Sequence, residues 1–235
     1  MNQTVLVIAA HPDDEVLGCG GTIAKHAAAG DNVHILLMAE GITSRDRIRD
    51  VTIRENELSS LAETAQKAGR FLGAGSVDFL SFPDNRMDSL PLLDIIKAVE
   101  GKMEQIRPDL VYTHHGGDLN VDHLVTHRAV VTACRPWPEQ TVRALLFFEV
   151  PSSTDWQAGN AAEKFYPNWF VDLSPSINGT TFLDKKLQAL EMYDSEMRDF
   201  PHARSIKAVK CAAVTRGTGV GLKAAEGFMV GRSVV

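Results

Sequence analysis

Cysteine is scarce in this sequence of 235 residues, and its three cysteines lie far apart. Cys19, Cys134 and Cys211 form no Cys-x-x-Cys pair, and their odd number does not fit a framework of paired disulfides. The pattern is typical of reduced thiols in a cytoplasmic protein. No basic segment typical of a secretory signal follows Met1, which favours the same location. We therefore expect a cytoplasmic protein whose fold does not depend on disulfides.

Long apolar runs and a strong charge of one sign are also missing. No run approaches the roughly 20 apolar residues of a transmembrane helix, so no membrane insertion is expected. The formal net charge of −6 gives the chain as a whole no electrostatic basis for binding nucleic acid. We expect a small-molecule substrate instead, and the sequence leaves a homo-oligomer open.

Short β-branched runs alternate with longer amphipathic runs over the first 150 residues. The short runs are almost continuously apolar, which is typical of strands buried on both faces of a parallel sheet. The sequence therefore predicts a Rossmann-like α/β fold, with a doubly wound, mostly parallel sheet and helices on both faces. The predicted strands are 4–10, 32–39, 76–82, 109–115 and 143–150, and the predicted helices are 16–29, 51–72, 89–106 and 121–134.

No segment has the composition of a linker, so we predict a single domain over residues 1–235. Its last third is less regular. Residues 151–180 are predicted to be a loop-rich insertion with one more strand near "WFVDL", and aromatic residues such as Trp156 are expected to pack beneath the loop. Residues 181–235 are predicted to form a C-terminal region with an amphipathic helix (181–197), a last helix (203–217) and a tail.

The first predicted strand runs directly into a His-Pro-Asp-Asp-Glu segment, which is followed by three closely spaced glycines. One interpretation is a dinucleotide-binding turn. That turn needs its first glycine immediately after the strand, so that backbone amides face a pyrophosphate. Here the turn holds acidic side chains that would repel phosphate, and no Gly-Lys-Ser/Thr segment follows. The order of the residues therefore favours a metal site over a nucleotide site.

The metal interpretation starts from His11 at the strand end and Asp14 three positions later. Imidazole and carboxylate ligands suit zinc or another divalent transition metal. A second polar group follows the predicted strand 109–115: Asp118, Asn120, Asp122 and His123. Because the carboxyl ends of parallel strands meet at one edge of a sheet, His123 can complete a site of three ligands. Three protein ligands leave a coordination position open, as in catalytic zinc sites, and Asp13 is then placed to act as general base on a water.

This constellation resembles the LmbE/PIG-L family of zinc-dependent N-acetyl sugar deacetylases. The family's Ala-His-Pro-Asp-Asp-Glu segment is matched by Ala10 to Glu15, and its later Asp-His segment is matched by residues 122–123. The resemblance implies that Asp13 is the general base. It also implies that three residues bind zinc: His11, Asp14 and His123.

Two more residues are predicted to take part in catalysis. Asp122 is expected to orient a metal-bound imidazole. Asn120 occupies a position where several family members have a histidine that is thought to help stabilise the oxyanion. The Asn120 amide can donate a hydrogen bond but cannot carry a proton, so the identity of the general acid stays open between His202, His127 and the metal alone.

Three residues are predicted to bind the substrate. Arg54 lies in "IRENEL", Arg86 in "FPDNRMD" and His202 in "HARS", and each stretch resembles a segment of the family. The resemblance implies a metal-dependent hydrolase that removes the acetyl group from an N-acetylglucosamine-type sugar or its conjugate and releases acetate. Two alternatives stay open: an amidase acting on a thiol conjugate or another non-sugar amide, and a non-catalytic metal- or sugar-binding protein on the same fold.

Overall fold

A computed structural model describes residues 2–158 and 164–235. Residues 159–163, which belong to the predicted loop-rich insertion, lie outside the described residues. The strands are β1 (Thr4–Ala9), β2 (Asn32–Ala39), β3 (Ser76–Phe82), β4 (Leu110–His114), β5 (Ala144–Phe148), β6 (Trp169–Asp172), β7 (Ser176–Ile177), β8 (Thr180–Thr181) and β9 (Ala225–Ser233). The helices are α1 (Asp14–Ala28), α2 (Glu55–Leu72), α3 (Leu92–Ile106), α4 (Val121–Ala133), α5 (Phe182–Met192) and α6 (Ile206–Thr218).

Seven strands form one sheet in the order β3-β2-β1-β4-β5-β9-β6. The first five in this order are parallel, and β9 runs antiparallel to both of its neighbours. Helices α1, α2, α5 and α6 pack on one another along one face, whereas α3 and α4 pack on each other along the opposite face. The predicted doubly wound, mostly parallel α/β fold is therefore confirmed.

Strand β1 shows why this sequence forms the centre of the sheet. Its residues from Val5 to Ala9 are fully buried, because alternate side chains enter the apolar cores on the two faces. Leu6 and Ile8 contribute to the core that α3 and α4 cover, and Val5 and Val7 contribute to the core beneath α1 and α2. The rigid end of this buried strand leads directly into His11.

Strand β9 lies where the sequence predicts only a tail after the last helix. Its sequence contains Gly227 and Gly231, which weaken a strand pattern. The structure explains both glycines: an added Cβ would lie 2.9 Å from Pro167 at Gly227 and 2.6 Å from the Phe147 ring at Gly231. Close packing against neighbouring segments, rather than local propensity, therefore accounts for these residues.

Helix α1 is kinked at Cys19, whose φ of −147° is not helical. The kink exposes backbone groups that a straight helix would pair internally, and a buried ion pair satisfies them. Glu226 accepts hydrogen bonds from the amides of Gly21 (3.0 Å) and Thr22 (2.7 Å). Lys186 donates to the carbonyl oxygen of Leu17 and to Glu226, both at 2.7 Å. This pair fixes the first half of α1, which begins at Asp14.

Strands β1 and β4 are neighbours in the sheet, and the chain leaves them in opposite directions along the strand order. In open α/β sheets such a reversal opens a crevice at the carboxyl edge, where ligands bind. The two polar segments that follow β1 and β4 meet at this crevice. Among residues 2–158 and 164–235, no helix combines the length and apolar composition needed to cross a membrane.

Candidate metal-dependent active site

The turn between β1 and α1 has an unusual backbone at Asp13. Its φ of 118° and ψ of −31° are rare for a residue with a side chain, and strained residues of this kind cluster at functional sites. Glu15 holds the turn: its carboxylate accepts hydrogen bonds from the Asp13 amide (3.0 Å) and the Tyr193 hydroxyl (2.5 Å). Burial raises the pKa of Glu15 to about 7, although the Tyr193 hydrogen bond acts against the rise.

The three predicted metal ligands lie together in the crevice and are buried. Asp14 Oδ2 is 3.2 Å from His11 Nδ1 and 3.1 Å from His123 Nε2. One ligand atom from each residue falls within 4.8 Å of the other two. Asp14 Oδ1 is buried without a hydrogen-bond partner, and His123 Nε2 approaches Asp14 Oδ2 without forming a hydrogen bond. Because buried polar atoms are seldom left unpaired, these two atoms fit coordination of a cation, and two imidazoles with one carboxylate suit zinc or a related divalent metal.

The electrostatics of the three ligands favour positive charge between them. Burial alone would lower the pKa of His123, but Asp14 and Asp118 raise it to about 9. Burial would likewise raise the pKa of Asp14, but His123 and His11 hold it well below its ordinary value. The carboxylates therefore supply the negative charge that a bound cation requires.

A second layer of side chains orients the two imidazoles. Asp118 Oδ1 lies 3.2 Å from His123 Nδ1, and Asp118 itself accepts hydrogen bonds from Ser153 and Thr154. Asp122 Oδ2 lies 3.0 Å from His11 Nε2 and also accepts from the Asn85 amide at 2.6 Å. Partners of this kind fix the tautomer and ring orientation of metal-binding histidines.

Asp84 also lies against His11. Its Oδ1 is 3.3 Å from His11 Nε2, and burial alone would raise its pKa, but His11 and Ser44 lower it to about 2. His114 stacks on His123 with 3.9 Å between ring centroids, and its Nε2 accepts a hydrogen bond from the Ala10 amide. Burial, followed by the neighbouring His123, holds the pKa of His114 well below its ordinary value.

Asp13 is paired with an arginine from the other end of the chain. Arg204 Nη1 donates to Asp13 Oδ2 at 2.9 Å, and Arg204 Nε donates to Ser152 Oγ at 2.8 Å. Burial raises the pKa of Asp13 well above its ordinary value, and Arg204 acts against the rise. In the sequence, Arg204 is only one residue of the "HARS" stretch, and nothing in the local pattern connects that stretch to Asp13.

Asn120 lies at the rim of the site, where both polar atoms of its amide are engaged. Its Oδ1 caps α4 by accepting from the Asp122 amide at 2.8 Å, and its Nδ2 donates to Asn85 Oδ1 at 2.9 Å. Asp122 is fully buried beneath it. Asp122 therefore contacts His11 directly, whereas Asn120 contacts the backbone of Asp122.

The three residues predicted to bind substrate lie in different surroundings. Arg54 forms two hydrogen bonds with Asp46 (2.8 and 2.9 Å) and one with Glu57, so its guanidinium is occupied by neighbouring carboxylates. Arg86 contacts the carbonyl of Arg47 at 3.5 Å. His202 contacts the partner of the base: its Nδ1 accepts from the backbone amide of Arg204 at 3.1 Å. Of the three, His202 is the one that the structure connects to Asp13.

Comparison with known proteins identifies similar sequences and folds. The family model described as PIG-L: GlcNAc-PI de-N-acetylase matches residues 6–134. The uncharacterized deacetylase YaiS of Escherichia coli K12 is 34% identical over 154 residues, an alignment that covers 63% of this chain and 75% of the relative. The 1D-myo-inositol 2-acetamido-2-deoxy-alpha-D-glucopyranoside deacetylase of Rhodococcus erythropolis is 31% identical over an alignment that covers 85% of this chain and 83% of the relative.

Solved structures resemble the whole fold at lower sequence identity. The N,N′-diacetylchitobiose deacetylase of Pyrococcus horikoshii has a TM-score of 0.74 at 20% identity and covers 96% of this chain and 82% of its own. The 4-carboxy-2-hydroxymuconate hydratase GalB of Pseudomonas putida KT2440 has a TM-score of 0.75 at 22% identity and covers 99% and 98%. At these identities the likeness shows the fold alone.

Proposed function

Because the chain belongs to the PIG-L family, we propose that the protein is a metal-dependent hydrolase that removes the acetyl group from an N-acetylglucosamine-type sugar or its conjugate. The products are acetate and the free amine. One observation supports this proposal above the others: the buried atoms Asp14 Oδ1 and His123 Nε2 form no hydrogen bond, and the turn that leads into Asp14 also carries Asp13, a buried carboxylate that is not one of the three ligands.

We propose zinc as the metal, held by His11, Asp14 and His123. When bound, a cation in such a site acidifies a water and polarises a carbonyl oxygen. Asp122 and Asp84 orient the imidazole of His11, and Asp118 orients the imidazole of His123.

Asp13 is the proposed general base. Arg204 engages its Oδ2, which leaves Oδ1 to accept the proton of the attacking water. The same carboxyl group then returns this proton to the leaving amine. Asn120 is proposed to donate a hydrogen bond from Nδ2 to the developing oxyanion, and to do so Nδ2 exchanges its present acceptor, Asn85, for the substrate.

The fold does not distinguish a deacetylase from a hydratase, because the similar structures include both. Acetate release separates the two reactions, since hydration adds water to a double bond and releases no acetate. The test is to incubate the purified protein, with its metal content measured, with N-acetylglucosamine and N,N′-diacetylchitobiose and to quantify acetate. Release by the wild-type protein and its loss in an Asp13→Asn variant are expected. If the metal-loaded protein released acetate from neither N-acetylglucosamine nor N,N′-diacetylchitobiose, the result would contradict the proposal.

A further inference from the structure

Trp156 presents a half-exposed indole next to the segment that carries Arg204, the partner of the proposed base. It is 51% exposed, whereas the sequence predicts that its aromatic ring packs beneath a loop. The ring meets His202 edge to face, with 5.3 Å between centroids and 69° between planes. His202 in turn accepts a hydrogen bond from the amide of Arg204, whose guanidinium binds Asp13. The indole is therefore connected to the active site through two residues.

The loop that carries Trp156 forms hydrogen bonds with the partner of the proposed base and with the partner of one proposed metal ligand. It follows β5, whose carboxyl end lies at the same edge of the sheet as those of β1 and β4. Ser152 accepts a hydrogen bond from Arg204, the partner of the base. Thr154 donates to Asp118, the partner of His123, at 2.7 Å, and its hydroxyl oxygen accepts from the Val150 amide at 2.8 Å. Trp156 thus follows a segment whose position relative to the proposed ligands is fixed.

A half-exposed tryptophan at a fixed position suits the recognition of a sugar ring. The indole supplies a large apolar face with few rotatable bonds, and ligand sites commonly combine such faces with a few polar groups. His202 and Arg204 separate Trp156 from Asp13. If the acetamide of one sugar ring reaches Asp13, a ring that stacks on the indole would be the next unit of the substrate.

We propose that Trp156 is a specificity-determining residue that stacks against a second sugar ring, joined to the N-acetylated one. This inference rests on the proposed function and narrows it, because it makes a disaccharide or larger glycoside the preferred substrate over a free monosaccharide. The N-acetylated ring occupies the crevice, and the second ring lies on the indole.

The test compares Trp156→Ala with Trp137→Ala in the full-length, metal-loaded protein. Trp137 is a matched control because it is 55% exposed and lies before β5, at the opposite edge of the sheet. Trp156→Ala is expected to raise KM for N,N′-diacetylchitobiose roughly tenfold, the size of an aromatic stacking contact with its buried area. KM for N-acetylglucosamine should stay unchanged. Trp156→Phe should recover much of the loss, and Trp137→Ala should behave as the wild type does.

Calorimetric titration with chitobiose, which carries no acetyl group and cannot react, tests binding separately from turnover. Weaker chitobiose binding in Trp156→Ala than in Trp137→Ala is the expected result. Equal binding by the two variants would overturn the inference, whether or not the wild-type protein releases acetate. If Trp156→Ala binds chitobiose more weakly but the wild-type protein releases no acetate, the result would support stacking of a sugar ring on Trp156 and contradict the proposed deacetylation.

Discussion

Arg204 Nη1 lies 2.9 Å from Asp13 Oδ2, so the proposed base is held by a residue 191 positions away in the sequence. The contact joins the irregular segment before α6 to the first turn of the chain. Arg204 also binds Ser152, and this second contact fixes the direction from which the guanidinium approaches. We therefore regard Arg204 as a positioning residue, which acts on the substrate through Asp13.

Replacing Arg204 by methionine is expected to lower kcat for acetate release on the order of 10²-fold, because a small displacement of a catalytic group has a cost of this size. Bound metal should stay at wild-type stoichiometry. Arg216→Met is the matched control: Arg216 lies on α6 and forms a similar pair with Glu149 at 2.7 Å, but it does not contact Asp13. Steady-state kinetics with elemental analysis of both variants provide the test. Equal kcat values for the two variants would show that Arg204 does not position the base.

Asp13→Asn and His123→Ala should separate the base from the ligands. Asp13→Asn is expected to retain the metal and to lose about 10²–10⁴-fold in kcat, the usual contribution of a general base. His123→Ala should lose the metal as well, because it removes one of the three ligands. His34→Ala is a suitable control, since this histidine lies on β2 and binds Ser76 rather than the site. If the His123→Ala protein bound one metal ion per chain, His123 would not be a metal ligand and the proposed site would be wrong.

Asn120 combines a structural role with a proposed catalytic one, and two substitutions distinguish them. Asn120→Ala removes the cap of α4 and should reduce the free energy of unfolding by about 1 kcal/mol. Asn120→Ser retains a capping oxygen but lacks the amide that would donate to the oxyanion. We expect wild-type stability and a roughly tenfold or greater loss of kcat for this variant. An unchanged kcat in Asn120→Ser would leave Asn120 as a cap only.

The sequence predicts the centre of the site better than its surroundings, for a physical reason. His11 and Asp14 are close in sequence, and His123 follows a strand that the alternation of elements makes parallel to β1, so topology alone brings these segments to one edge. Arg204 and Trp156 lie on irregular segments whose paths depend on packing that no local pattern encodes. Strand β9 cannot be predicted from its local pattern for a related reason, because close packing against Pro167 and Phe147 accounts for its glycines.

Lys186 and Glu226 should be essential to stability as a pair. Both side chains are almost fully buried, and together they satisfy the backbone groups that the kink in α1 leaves unpaired. Lys186→Met leaves a buried carboxylate without its cation, which typically reduces the free energy of unfolding by about 3–5 kcal/mol. The double variant Lys186→Met/Glu226→Gln removes both charges and should lose less than the single variant. Lys97→Met, which breaks an exposed pair with Glu100, should change stability by at most about 1 kcal/mol. Denaturant unfolding of the three proteins checks these values, and a Lys186→Met protein as stable as Lys97→Met would show that the buried pair does not support the kink.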